Sequence, residues 1–153
     1  MVSEMLGNQY FLARKYSGAV SNFQQTLLDD PQNKSVRKKL IVCYTQTGEI
    51  RKALEVFKEL IEEDIDFIIN TDLKEDSCPC SDLIQKYGNV LPNENNSVDV
   101  RIMLGILWLY CDTEKSNEFF KSLLDENVEN EKISSIVKII ENRLKTKQPN
   151  KIN

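Results

Sequence analysis

The sequence predicts an all-α fold in which antiparallel helix hairpins stack side by side into an α–α superhelix, interrupted by one irregular insertion and closed by a C-terminal capping helix. Two observations predict it. Leu6, Tyr10, Ala19 and Phe23 recur 34 residues later as Leu40, Tyr44, Ala53 and Phe57, and a fixed period of this length is the mark of stacked helical hairpins. Beyond a break, the pattern returns: Ser116 and Phe120 stand 63 residues after Ala53 and Phe57, one period and a shortened second one.

The first pair is expected over residues 3–15 and 17–29. Leu6, Tyr10 and Ala13 form an i, i+4, i+7 stripe, and Gly7 leaves room for a neighbouring helix. Ser17 is the expected N-cap of the second helix, whose inward face is Ala19, Phe23, Thr26 and Leu27; Asp30-Pro31 ends it, because a residue before proline is pushed out of the helical region. In the second pair Leu40, Ile41, Cys43 and Tyr44 face inward, Gly48 breaks the chain, and Ile50, Ala53, Phe57, Leu60 and Ile61 follow. That last helix is expected to overrun to about Asn70, since Phe67, Ile68 and Ile69 stay apolar. Residues 70–96 read as an insertion or degenerate repeat, with Cys78-Pro79-Cys80, a short helix over 81–87, and Leu91-Pro92-Asn93. The third pair spans 98–110 and 114–125, the latter turning Ser116, Phe120, Leu123 and Leu124 inward. A helix over 130–145 presents Ile133, Ile136, Val137, Ile140 and Leu144 on one side and charge on the other, as a cap should. The organisation expected is a single domain over 1–145, with repeats at about 1–33, 34–67 and 97–130, and a polar tail over 146–153.

Composition narrows function. The 153 residues carry 20 Lys and Arg against 24 Asp and Glu, a net charge of -4 with pI near 5.0, which disfavours general nucleic-acid binding. The longest apolar run, Ile102 to Tyr110, is about half of the ~20 residues a membrane span needs. Glu4 follows Met1 closely and no signal peptide is visible, so a cytoplasmic protein with free thiols at Cys43, Cys78, Cys80 and Cys111 is expected. There is no histidine, which removes the commonest general base and every Ser/His or Cys/His nucleophile arrangement. Glu62-Glu63-Asp64 and Asp125-Glu126 read as solvated faces, and phosphate cradles are absent. No enzymatic activity and no cofactor are expected.

Leu6-Gly7, Tyr10, Ala19, Phe23, Leu27 and Pro31 in the first unit, and Leu40, Tyr44, Gly48, Ala53, Phe57 and Ile61 in the second, resemble tetratricopeptide repeats. The second unit departs at Ile41 and Ile65. Residues 114–130 resemble the second half of a unit, and its first half has two competing alignments, on Met103-Leu104 or Leu104-Gly105. The resemblance implies a TPR-like scaffold that binds a peptide segment of another protein in a concave groove lined by successive first helices. Its groove positions carry over to Asn8 and Phe11, then Lys38, Val42 and Thr45, then Arg101 and Trp108. Lys38 and Arg101 would meet carboxylates of an acidic partner, Asn8 a peptide backbone, and Phe11 and Trp108 would add apolar area. Against this, large aromatics are mostly core, and the basic run Lys34, Arg37, Lys38, Lys39 has a plainer reading as a solvated helix start. Members that grip a chaperone C-terminus need a basic residue and a second Asn where this chain has Glu4 and Lys39, so that adaptor role is not expected.

Two alternatives accompany the groove. Cys78 and Cys80 have metal or redox potential, but a tetrahedral zinc needs about four ligands and no metal site is expected. Self-association is the other: the chain starts almost at its first repeat helix, so Met1, Leu6 and their apolar neighbours would be exposed, favouring a homodimer or continuation into a partner. The same reading admits a fragment of a longer protein.

Overall fold

The structure, a computed structural model, describes residues 2–92 and 97–146. Met1, residues 93–96 of the insertion and residues 147–153 of the tail lie outside the described residues. Among the described residues, eight helices and no strands form: α1 (Val2–Leu12), α2 (Tyr16–Asp29), α3 (Lys34–Gln46), α4 (Ile50–Ile69), α5 (Cys80–Lys86), α6 (Val98–Leu109), α7 (Thr113–Asp125) and α8 (Asn130–Lys145). Chain neighbours pack as the hairpins α1/α2, α3/α4 and α6/α7, α2 joins the first two, and α8 folds back onto α7 and α4.

The two turns within the first hairpins share one device. Gly48 sits at φ 81°, which lets Glu49 N–H reach back to the Tyr44 carbonyl at 3.0 Å and satisfies a carbonyl the helix end leaves open. One period earlier Arg14 occupies the same left-handed position at φ 60°, and Lys15 N–H returns to the Tyr10 carbonyl at 2.8 Å. Helix starts differ from expectation. α2 begins at Tyr16 with Lys15 as N-cap and no side-chain cap, so Ser17 lies inside the first turn. Capping falls instead to Asn33, which accepts from Val36 N–H at 3.0 Å, and to Asp112, which accepts from Lys115 N–H at 3.2 Å. α4 runs to Ile69 as its apolar face requires, with a kink at Asp64 (φ -164°, ψ 82°).

The core is one continuous cluster running from Phe11 and Phe23 through Leu40, Ile41, Phe57 and Leu60 to Phe120, Ile133, Ile136 and Ile140. The inward faces expected of α3, α4, α7 and α8 are found there, with Leu124 and Leu144 only partly buried. α1 is the correction. Leu6 and Tyr10 are 41% and 39% exposed and Ala13 is exposed, whereas Gly7 and Phe11 are buried. α1 packs only on its α2 and α3 side, so the stripe through Gly7 and Phe11 goes under and the Leu6 stripe stays outside.

Candidate functional site

The candidate face is built from α3 outward. Residues 34–39 at its start include four basic side chains, each with a hydrogen-bond partner within the chain. Lys34 Nζ lies 3.2 Å from Asp64 Oδ2. Arg37 makes a two-pronged pair with Glu63, at 3.1 and 2.5 Å, and this bonding holds the Glu63 carboxyl below its usual range. Lys38 Nζ meets Asp76 Oδ2 at 3.0 Å and the Phe67 carbonyl at 3.3 Å, with the Phe67 ring 4.8 Å beneath. Lys39 Nζ donates to Asn8 Oδ1 at 2.9 Å, and burial lowers its ammonium pKa.

Two elements roof this face. Tyr110, at the end of α6, donates to the Lys38 carbonyl at 2.7 Å, and Gln46 reaches Met103 Sδ at 3.5 Å, so α6 lies along α3 in the opposite chain direction. The second is residues 71–86 of the insertion. Asp72 Oδ1 accepts from Lys74 and Glu75 N–H at 3.1 and 3.0 Å, tightening a turn that presents Asp76 to Lys38. The chain then bends at Ser77 (φ 52°), whose carbonyl accepts from Arg14 Nη1 at 2.9 Å. Arg14 also bonds the Phe11 carbonyl at 3.2 Å and stands 5.7 Å over the Phe11 ring. α5 follows against α6, burying Cys80, Leu83 and Ile84 at 0%, 8% and 6% exposure.

Most of the residues expected to face a groove are buried. Phe11, Lys38, Val42, Thr45 and Arg101 retain 2%, 8%, 1%, 5% and 2% exposure. Thr45 Oγ1 donates to the Val42 carbonyl at 2.6 Å. Arg101 points away from Lys38 into its own hairpin, where it bonds Glu126 at 2.9 and 2.7 Å, Ser122 Oγ at 2.8 Å and the Pro92 carbonyl at 3.2 Å. Trp108 is half-buried with Lys115 Nζ 5.9 Å from its ring. Two clefts stay open beside these residues: one of about 250 Å³ where Asn8, Phe11, Leu12 and Lys39 face Glu75, Asp76 and Ser77, and one of about 410 Å³ where Lys38 and Phe67 border Asp64, Asp66, Asp72 and Asp76. A depression of about 630 Å³ elsewhere, lined by Lys58, Glu129 and Lys132, is charged outer surface of α4 and α8 and touches none of these residues. Arg14, Asp76, Ser77 and Tyr110 were missed in the sequence. The signal that could have found Asp76 is charge complementarity: Asp72, Glu75 and Asp76 form an acidic run that suits the basic run of residues 34–39.

The cysteine expectation is corrected. Cys78 and Cys80 are joined to each other, and the free thiols are Cys43, buried, and Cys111, exposed. Burial pushes the Cys43 thiol up to about 12. Among the described residues no group of three or more His, Cys, Asp or Glu side chains is arranged to hold a metal ion.

A stack of antiparallel helical hairpins is the architecture of a helical repeat protein. Residues 10–66 match the family model of the tetratricopeptide repeat, which supports a tetratricopeptide-repeat protein. Such repeats generally mediate protein–protein interaction and are typically non-enzymatic. No match to the chain was found among curated proteins or among solved structures. No helix among the described residues is long and apolar enough to cross a membrane.

Proposed function

We propose that the domain is a cytoplasmic, non-enzymatic interaction scaffold that takes an acidic peptide segment of a partner protein on the concave side of α1 and α3. The observation that supports this reading is that a chain segment already lies there: Asp76 on Lys38, and the Ser77 carbonyl on Arg14. A surface that holds one acidic turn through a lysine, an arginine and a bed of apolar side chains has the chemistry to hold another. The segment therefore stands in for the partner, which must displace residues 72–78 to reach Lys38 and to widen the cleft at Asn8 and Phe11. Arg14 supports the same reading. It keeps a left-handed backbone where the next repeat has Gly48, a conformation that costs a non-glycine residue about 1 kcal/mol or more, and its guanidinium is spent on the segment. Arg101 and Trp108 are further from this contact, and Arg101 serves the third hairpin.

The test is an Arg14→Gly, Asp76→Ala double variant, which releases both tethers while leaving the buried face of α5 intact, panned against a random peptide-display library beside the native chain. Acidic peptides retained by the double variant, and lost again on adding Lys38→Glu, are the expected result. Recovery of the same peptides by all three forms, or of none by any, would sink the concave-face reading.

A further inference from the structure

Among the described residues seven large hydrophobic side chains stand exposed, and five of them belong to α1: Val2 at 73%, Met5 at 58%, Leu6 at 41%, Tyr10 at 39% and Leu12 at 58%. A helix that is apolar on both sides belongs between two neighbours. α1 has one side filled, by α2 and α3. The repeat register says what the other side is shaped for. Val36, Leu40 and Tyr44 stand one period after Val2, Leu6 and Tyr10, and they are 1%, 2% and 6% exposed. α2 packs on α3, and Gln24 Nε2 donates to the Tyr44 hydroxyl at 2.8 Å. Each tyrosine also lies by the equivalent position of its own hairpin's second helix. A Cβ on Gly18 would meet the Tyr10 ring at 2.8 Å, and Lys52, one period later, stands 5.9 Å over the Tyr44 ring. α1 thus repeats the surface that α3 turns toward α2.

We propose that the outer face of α1 docks an amphipathic helix of a partner protein, one with the chemistry α2 offers α3: aliphatic residues at i and i+7, as Val20 and Leu27, and an amide at i+4, as Gln24, within reach of the Tyr10 hydroxyl. Charge agrees. Glu4 is the one charged residue of α1, and its carboxylate already accepts from Asn33 Nδ2 at 3.3 Å, so the face suits an uncharged stripe. The opposite end of the array does not supply the counterpart from a second copy, since α8 turns Glu131, Ser134, Lys138 and Lys145 to solvent. Apart from Leu12, which also borders the cleft beside Asn8, this surface is separate from the concave side, and neither reading depends on the other.

The probe is a synthetic peptide of residues 15–33, carrying α2, held helical by a hydrocarbon link between positions 21 and 25, both exposed in α2. It is titrated into the whole chain by calorimetry, with circular dichroism confirming helicity of peptide and protein variants. Saturable binding is expected, weakened about tenfold or more by Leu6→Lys or Met5→Lys in the protein and by Val20→Asp in the peptide, as for an apolar contact at the centre of a small interface. Three results overturn the proposal: a helical peptide that does not saturate, equal binding to Leu6→Lys, or a Leu6-dependent dimer of the chain alone in sedimentation, which would give the face to a second copy.

Discussion

The ring of Phe120 closes on the bare backbone of Gly105: a Cβ there would stand 3.0 Å from Cζ and 3.1 to 3.2 Å from its neighbours. Phe23 does the same to Gly7, at 2.6 Å, and in both hairpins the ring anchors the core. Ser116 Oγ adds a 2.6 Å bond to the Gly105 carbonyl. Gly105 therefore takes in the third hairpin the place Gly7 takes in the first, which selects Leu104-Gly105 over Met103-Leu104 as its register.

Gly7→Ala is expected to destabilise by about 1–2 kcal/mol. The helix gains up to about 1 kcal/mol from alanine, but overpacking a filled core costs about 1–3 kcal/mol, and the Phe23 ring, fully buried, has nowhere to go. Gly105→Ala needs a shift of only a few tenths of an ångström and should fall closer to neutral. Urea unfolding of the two variants measures the difference, and equal losses would contradict it.

Arg101→Ala should cost about 3 kcal/mol. That is the lower edge of the range for breaking a buried pair, chosen because the Glu126 side chain keeps 48% exposure and is left in water rather than stranded. Arg101→Lys should recover only part of the loss, because an ammonium cannot reproduce the two-pronged bond to Glu126 while also meeting Ser122 and the Pro92 carbonyl. Thermal and urea unfolding both read this out.

Arg14→Gly is expected to leave global stability within about 1 kcal/mol of the native chain. Relief of the left-handed backbone and loss of the hydrogen bond to Ser77 act in opposite directions and are of similar size. Locally the effect is one-sided. Amides of residues 73–78 should exchange faster in the variant, and unchanged exchange there would mean that the arginine does not hold the segment.

Acid should unfold the protein through its paired carboxylates. Glu63, Glu126 and Glu141 are held below their ordinary range by hydrogen bonds from Arg37, Arg101 and Asn117 respectively, with Lys121 adding to the last. A folded value below the unfolded one stabilises above the unfolded pKa, about 4.3, and that stability disappears as pH falls through the folded value. The urea midpoint should be flat from neutral pH to about pH 5 and fall below about 4.3, less steeply in Glu126→Gln. The exposed positions of these glutamates and their screening by salt predict a shallower decline at high ionic strength.

Thiol labelling should separate the two free cysteines. Cys111 is exposed, although partial desolvation and neighbouring Asp112 raise its pKa, and it should modify slowly near pH 8. Cys43 has no accessible surface and a thiol near 12, so it should react only on unfolding. Rapid loss of both thiols from the native protein would show that the α3 core opens.

Helix existence, the 34-residue register and most of the core were legible in the sequence because they follow from local spacing. Leu40, Ile41, Phe57 and Ile140 are apolar at helical intervals, and every packing that forms these helices must bury them. Asp30-Pro31 and Gly48 ended helices for the local reasons read from them. The accessibility of the candidate groove was not local in this sense. Whether Lys38 faces solvent, a partner or Asp76 depends on where an irregular segment 38 residues away returns, and no period carries that information. Likewise, Leu6 and Leu40 are identical in type and register, yet one is 41% and the other 2% exposed. The sequence by itself determined which side chains are apolar and in phase. Only the tertiary structure decided which of them are covered, because burial is a property of the neighbour that packs against a face and not of the face itself.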